Sequence, residues 1–244
     1  MIRQMKAFQD MDTLCCAKGF VRRGTAFFRI NGDGVLQILK VEKVRHWDAY
    51  EVSLDLFSMY GELDSHIFTA SGCIVRYALV IFCGKRSAQY LEKVGNHYEG
   101  RIISLDTQVA LLEKTVMPFL DEVCTQAQLA HAMCKLDSLT YSNTVIWNDI
   151  HKFAPFLLSG DPSSARRVIQ AILDQHKFAL EGRESTMSPQ EYLSFYNDLQ
   201  EEDKLLIQKL HMIEVQNKET TEAYFQENFL RNCKLSKLIK NKVI

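Results

Sequence analysis

Four basic side chains crowd the first strand-forming stretch: Lys18, Arg22, Arg23 and Arg29. Guanidinium forks pair bidentately with carboxylates and phosphates, so such a cluster can hold an anionic ligand. The same charges on an edge strand deter pairing between sheets, which is the structural alternative. Gln37 is the second candidate. It is polar, yet it alternates onto the same strand face as Val35, Leu39 and Val41. An unsatisfied polar group on a buried face costs about 1–3 kcal/mol, so Gln37 needs a partner. It lines a pocket, bonds a neighbouring backbone group, or faces water if the other face is the buried one. Trp47 follows His46 in a loop between Arg45 and Asp48. A Trp beside an Arg is a common interaction anchor, and a Trp folded under the sheet is the alternative. With Lys43 at the end of its strand, the candidate ligand-binding set is Arg22, Arg23, Arg29, Gln37, Lys43 and Trp47.

Metal and catalytic chemistry leave weaker traces. Cys124, His131 and Cys134 fall at i, i+7 and i+10. Seven helical residues rise about 10 Å, so one zinc ion does not easily reach Cys124 and His131 together without a break in the helix; His131 and Cys134, at i+3, can share an ion with help from elsewhere, and small core residues are the alternative for the thiols. The core reading outweighs the zinc one, and no metal and no cofactor is expected. The chain has no G-x-S-x-G elbow, P-loop, G-x-G-x-x-G or H-E-x-x-H. Gly32-Asp33-Gly34 precedes a strand rather than a helix, which makes it a turn and not a phosphate loop. Asp149 with His151, and Asp174 with His176, are i, i+2 pairs that point to different helix faces.

The elements that must position these residues differ between the two halves. Nine of the eleven glycines lie in residues 1–100, which suits strands and turns. Residues 2–16 have helical spacing, with Gly19 as the C-terminal cap. Thr25–Ile30 and Val35–Lys43 flank Asn31-Gly32-Asp33-Gly34, a hairpin signal. Tyr50–Ser58 alternates, with Tyr50, Val52, Leu54 and Leu56 inward and Glu51, Ser53 and Asp55 outward. Ile74–Phe82 is a short apolar run that suits a central strand. From Asp106 the spacing is helical, and Pro118 divides or kinks the stripe. Further helices are expected at about 143–158, 163–180, 189–216 and 219–240. Asp161 or Ser163 caps one of them, and Ser188-Pro189-Gln190-Glu191 opens another. The fold class is α+β: an antiparallel sheet of about four strands with flanking helices over residues 1–138, then an all-helical bundle over 139–244.

The first half resembles the bacterial family catalogued as domain of unknown function 4304. The resemblance rests on Gly19-Phe20-x-x-x-Gly24-x-x-Phe27-Phe28-Arg29, then Gly34-Val35-x-Gln37-Ile38, then an alternating strand. It covers about residues 1–135. The family's strand typically ends near a Gln-Lys or Gln-Arg pair, where this chain has Glu42-Lys43. The resemblance carries no assigned activity, so it transfers no catalytic residue. The helical half lies outside it.

Composition bounds the function. The 244 residues carry 29 Lys+Arg against 30 Asp+Glu, a formal charge of −1. That balance argues against a dedicated nucleic-acid binder. No apolar run is long enough to span a membrane, and charges interrupt the N-terminal stretch that a secretion signal would need. Seven cysteines without a CxxC pair suit buried thiols in a reducing cytoplasm. The segment Arg231 to Lys242 is basic with an apolar side, suited to the last helix of a bundle. The resulting expectation is a cytoplasmic, non-catalytic binding or protein-interaction module, with a protein partner or a second copy as its target. Its contact surface is expected at the exposed sheet face and at the seam between the halves. A hydrolase or transferase holding an anionic substrate at that seam is the alternative.

Overall fold

The structure, a computed structural model, describes residues 5–43, 50–63, 65–68, 77–78, 85–86, 89–94, 97–102, 105–139, 150–184, 186–215 and 217–236. It is α+β, with an antiparallel sheet in the N-terminal part followed by helices.

Helix α1 (Lys6–Ala17) buries Ala7, Phe8, Met11 and Cys15, the apolar positions one helical turn apart. It ends at Gly19, whose φ of 80° is the left-handed conformation a helix terminus favours. Strands β1 (Val21–Arg23), β2 (Ala26–Ile30), β3 (Val35–Lys43), β4 (Tyr50–Ser58) and β5 (Tyr77–Ala78) form one antiparallel sheet in chain order. The expected hairpin is β2–β3, with register Arg29 opposite Gln37. Of the apolar run from Ile74 the described part is β5, which pairs β4 and stands at the end of the strand order among the described residues rather than at its centre; the rest of the run lies outside the described residues. A second small sheet contains β6 (Lys85–Arg86), β7 (Gln89–Val94) and β8 (His97–Ile102).

Helix α2 (Leu105–Leu111) passes through a wider π turn at Leu112–Val116 into α3 (Met117–Glu122). Pro118 supplies the cause, because it has no N–H to give to the carbonyl one turn earlier. Helices α4 (Gln126–Leu139), α5 (Ile150–Leu158), α6 (Pro162–Arg183), α7 (Pro189–Val215) and α8 (Lys218–Ser236) follow among the described residues. Asp161 caps α6 by accepting the Ser164 N–H at 2.9 Å. Ser188 and Glu191 form a reciprocal capping box at the start of α7: the Ser188 N–H donates to Glu191 at 3.1 Å and the Glu191 N–H to the Ser188 hydroxyl at 3.4 Å.

The sheet is covered on both sides, which corrects the expectation of an exposed face. On the first face Phe27, Val35, Leu39, Val41, Val52, Leu54 and Leu56 pack on α1 and on Leu112, Val116, Leu120, Leu129 and Met133. On the second, Ala26, Phe28, Leu36, Ile38, Phe57 and Met59 pack on Leu63, Ile67 and Phe68, with Phe229 and Cys233 of α8 against them. Ser53 and Asp55, expected to face water, are therefore buried, as is Lys40. Each fully buried Phe or Leu contributes about 1.5–3 kcal/mol relative to exposure. Phe153, Ala165, Ile169, Leu206, Ile213 and Phe225 make a third cluster inside the helical part. Of the described cysteines, all free, Cys15 is buried, whereas Cys16 and Cys134 are exposed and Cys124 and Cys233 lie between.

Candidate functional site

Three of the four basic side chains, Lys18, Arg22 and Arg29, are already occupied by carboxylates of the same chain. Arg22 pairs with Asp12. Lys18 Nζ and Arg29 Nη1 each reach Asp121 at 2.8 Å. Partial burial pushes the Asp121 carboxyl up, but the hydrogen bonds from Lys18 and Arg29 outweigh it and hold the group below its ordinary range. Arg29 also donates to the Lys18 carbonyl at 3.0 Å, and its guanidinium lies 4.6 Å from the Phe20 ring centroid. Arg23 sits 6.0 Å over the Phe28 ring.

Gln37 is wholly buried and its amide is spent. Its Oε1 accepts Arg29 Nε at 2.8 Å, the contact that the β2–β3 register makes inevitable. Its Nε2 donates to the Leu120 and Val123 carbonyls at 2.8 and 3.0 Å. These are carbonyls at the end of α3, so a strand side chain supplies the donors that helix end lacks. Of the three readings open to Gln37, the backbone bond is the one observed. Lys43 ends β3, far along the strand from Gln37. Trp47 lies outside the described residues. The structure thus joins Arg29 to Gln37 and leaves Arg22, Arg23 and Lys43 apart from that pair.

Two clefts are more open to a ligand. The first lies at the seam between the sheet and the helices, with a volume of about 750 Å³. The β2–β3 turn brings Asp33 to it, and the start of α4 brings Thr125, Gln126 and Ala127. Asp33 Oδ2 accepts the Gln126 N–H at 2.8 Å, and Gln126 Nε2 donates to the Asp33 carbonyl at 2.6 Å. Tyr60, Glu222, Phe225 and Gln226 form the opposite wall. Burial, and then the nearby Asp33 charge, push the Tyr60 phenol up.

The second cleft, of about 440 Å³, opens between α6 and α7. Ile172, Phe195, Leu199 and Leu206 give it apolar walls. At its floor Lys209 Nζ meets Glu62 Oε1 at 3.0 Å, and the Tyr224 hydroxyl donates to the same oxygen at 2.7 Å. Burial raises the Glu62 carboxyl, but the Tyr224 bond and the Lys209 charge outweigh it and leave it lowered. Burial and the Glu62 charge push the Tyr224 phenol up. His176, also in the wall, sets Nδ1 2.7 Å from Asp203 Oδ1. That pairing was not visible in the sequence, because Gln200-Glu201-Glu202-Asp203 reads as a solvated face and His176 has a nearer carboxylate in Asp174. At the rim Phe178 is 76% exposed and Leu205 54%.

Among the described residues no group of three or more His, Cys, Asp and Glu could hold a metal ion, and no helix is long and apolar enough to cross a membrane. No family model, curated protein or solved structure matches the chain.

Proposed function

We propose that the protein is a non-catalytic binding module, and that the α6–α7 cleft takes a basic amphipathic segment of a partner protein. The observation that carries this reading is the rim of that cleft. Phe178 and Leu205 are largely exposed, one from each helix, above an apolar trough. An apolar segment laid there covers both, as in helix-in-groove recognition. The charge of the bound segment follows from Leu205's neighbours. Glu202 precedes it by three residues and lies beside it on the helix surface, and Asp198, seven residues before it, lies on the same face two turns away. Of the cations that line the cleft, Lys209 is taken up by Glu62 and Arg183 lies over the Phe195 ring, 4.7 Å from its centroid.

The reading includes kinship with the domain of unknown function 4304, supported by the Gly19-Phe20 and Gly34-Val35 motifs. It also includes a cytoplasmic location, supported by the exposed free thiols of Cys16 and Cys134. The hydrolase or transferase alternative draws on His176, which Asp203 orients as a general base would need. Binding is favoured because, among the described residues, the lining of that cleft includes no Ser, Thr or Cys nucleophile.

The test uses two labelled model peptides, one a Lys/Leu amphipathic helix and one its Glu/Leu counterpart. The basic peptide is expected to bind at least about tenfold more tightly, about 1.4 kcal/mol. Phe178→Ala with Leu205→Ala is expected to abolish the difference without changing the melting temperature. Equal binding of both peptides, or binding untouched by the double substitution, overturns the proposal. A sedimentation profile showing a dimer that the double substitution dissociates assigns the rim to a second copy instead.

A further inference from the structure

We infer that the α6–α7 cleft is gated by a proton: His176, set between Asp203 and Glu202, weakens the hold on a basic segment when its ring becomes charged. The inference rests on the reading of that cleft as the seat of a basic amphipathic partner segment. Its own ground is the geometry of one imidazole. His176 lines the cleft from α6, and its Nδ1 lies 2.7 Å from Asp203 Oδ1 of α7. Its Nε2 lies 3.7 Å from Glu202 Oε2. Glu202 also lines the cleft and is the carboxylate beside Leu205. One ring nitrogen therefore holds one carboxylate, and the other lies next to the carboxylate that a bound cation would use.

A histidine side chain changes charge between about pH 5 and 8. The neutral ring has one N–H and the charged ring two. With the ring neutral, Nδ1–H donates to Asp203, since a carboxylate has no proton to give, and Nε2 has none for Glu202. Glu202 is then open to a lysine or arginine of the partner. With the ring charged, Glu202 has a cation of its own chain beside it. The basic segment and the proton thus compete for the same carboxylates. The other charges around His176 do not cancel this effect. Lys209 and Glu62, at the cleft floor, neutralise each other at 3.0 Å. On α7, Lys204 is taken by Glu201 at 2.6 Å. On α6, Asp174 accepts from Gln170 at 2.9 Å, and Lys177 is exposed outside the lining. Helix α5 brings apolar Ile150 to the cleft, while its His151 and Lys152 are not among the lining residues. Arg183, two turns along α6 from His176, lies over the Phe195 ring. Glu202 and Asp203 therefore outnumber Arg183 while His176 is neutral, and no longer do so once it is charged. Asp198, two turns away on α7, keeps some attraction in either state, so acid weakens binding without abolishing it.

The test is calorimetric titration of the full chain with the Lys/Leu helix at about pH 8 and about pH 6, where lysine stays charged throughout. The affinity is expected to fall about threefold at the lower pH, the worth of one partly exposed charge pair. Binding at the lower pH is also expected to release protons, which titration in two buffers of unlike ionisation heat counts. His176→Gln should bind the Lys/Leu helix equally at both pH values and release no protons. The Glu/Leu helix should not weaken in acid. Equal affinity of the parent for the Lys/Leu helix at the two pH values overturns the inference. So does a pH dependence that survives His176→Gln, which would belong to another histidine, and so does equal weakening of both helices. Glu202→Gln, at an exposed position of α7, is the second variant. It should bind the Lys/Leu helix less tightly at about pH 8 and lose most of the difference between the two pH values, and an undiminished difference overturns the inference. Binding that depends on Phe178 and Leu205 but not on pH removes the gate alone, whereas no binding at either pH removes the reading of the cleft as well.

Discussion

Replacing Gln37 by leucine removes three hydrogen bonds while keeping a side chain of similar size, so cavity formation contributes little. The loss can be worked bond by bond. The Leu120 carbonyl is left without its donor, because the Cys124 N–H that would close the helical ring turns instead to Glu122 and Gln128. An orphaned buried acceptor costs about 1–3 kcal/mol. The Val123 carbonyl loses one donor but keeps Asn31 Nδ2 at 3.1 Å, a loss of about 0.5 kcal/mol or less. Arg29 loses the bond from Nε, yet keeps Asp121 and the Lys18 carbonyl, which puts this part near 1 kcal/mol. The sum is about 3 kcal/mol. For a domain of this size that corresponds to a fall of roughly 6–12 °C in melting temperature. Urea unfolding followed by circular dichroism measures it directly. Gln37→Glu should lose more at neutral pH, since a carboxylate then faces two carbonyl oxygens, and should recover part of the loss in acid as the carboxyl regains a proton to donate. A Gln37→Leu midpoint within about 1 °C of the parent would refute the reasoning. The amide would then be idle in the fold and available to a ligand after all.

Two further substitutions test neighbouring claims. Gly34 has φ +69°, and a Cβ there would come within 2.8 Å of Tyr60 Cε2 and 3.3 Å of Phe229 Cε2. Gly34→Ala should therefore cost about 2–3 kcal/mol in chemical denaturation, roughly 1–2 from the backbone and the rest from displacing the stacked rings. Adding Tyr60→Ala to Gly34→Ala should cost less than the sum of the two single changes, and strict additivity would count against the clash. His151 packs edge-on against Phe57 at 5.1 Å, and burial lowers it from 6.5 to about 4, against the pull of Glu62. Because its folded value is the lower one, the native state favours the neutral ring. That contribution is complete above pH 6.5 and is lost as the pH falls toward 4. It amounts to about 2 kcal/mol, allowing for the part of the ring that water reaches. His151→Leu should flatten the stability profile over that window, and an unchanged slope would place the acid sensitivity elsewhere.

Local signals were well written in the sequence. Asp161 and Ser188-Pro189-Gln190-Glu191 announced two helix starts, because capping depends on residues three positions apart. Gly19 and the Asn31–Gly34 tetrapeptide announced a helix end and a hairpin for the same reason. Gln37 declared itself as a polar residue on an apolar face, but its partners Leu120 and Val123 lie 83 and 86 residues away, beyond any local pattern. The second covered face was misjudged from Glu51, Ser53 and Asp55, whose polarity suggested water. Leu36, Ile38 and Phe57 alternate onto that same face, and their bulk was the available clue that something covers it. The pairing of His176 with Asp203 was hidden because two helices must first lie side by side. A seam between the halves was named in advance, but Arg22 and Arg29, the candidates for holding an anion, pair with Asp12 and Asp121 at another corner and do not line this cleft.

Closure of the sheet's second face has a consequence for synthesis. Asn232 Nδ2 donates to the carbonyls of Met59 and Gly61, which precede it by 173 and 171 positions. A ribosome adding about 5–20 residues per second needs roughly 10–30 s to cross that interval. Throughout it, Ala26, Phe28, Leu36, Ile38, Phe57 and Met59 form a strand surface with its final cover not yet made. The nascent chain is thus a natural client for chaperones that hold apolar sheet faces, and a pause in translation upstream of α8 would prolong that dependence.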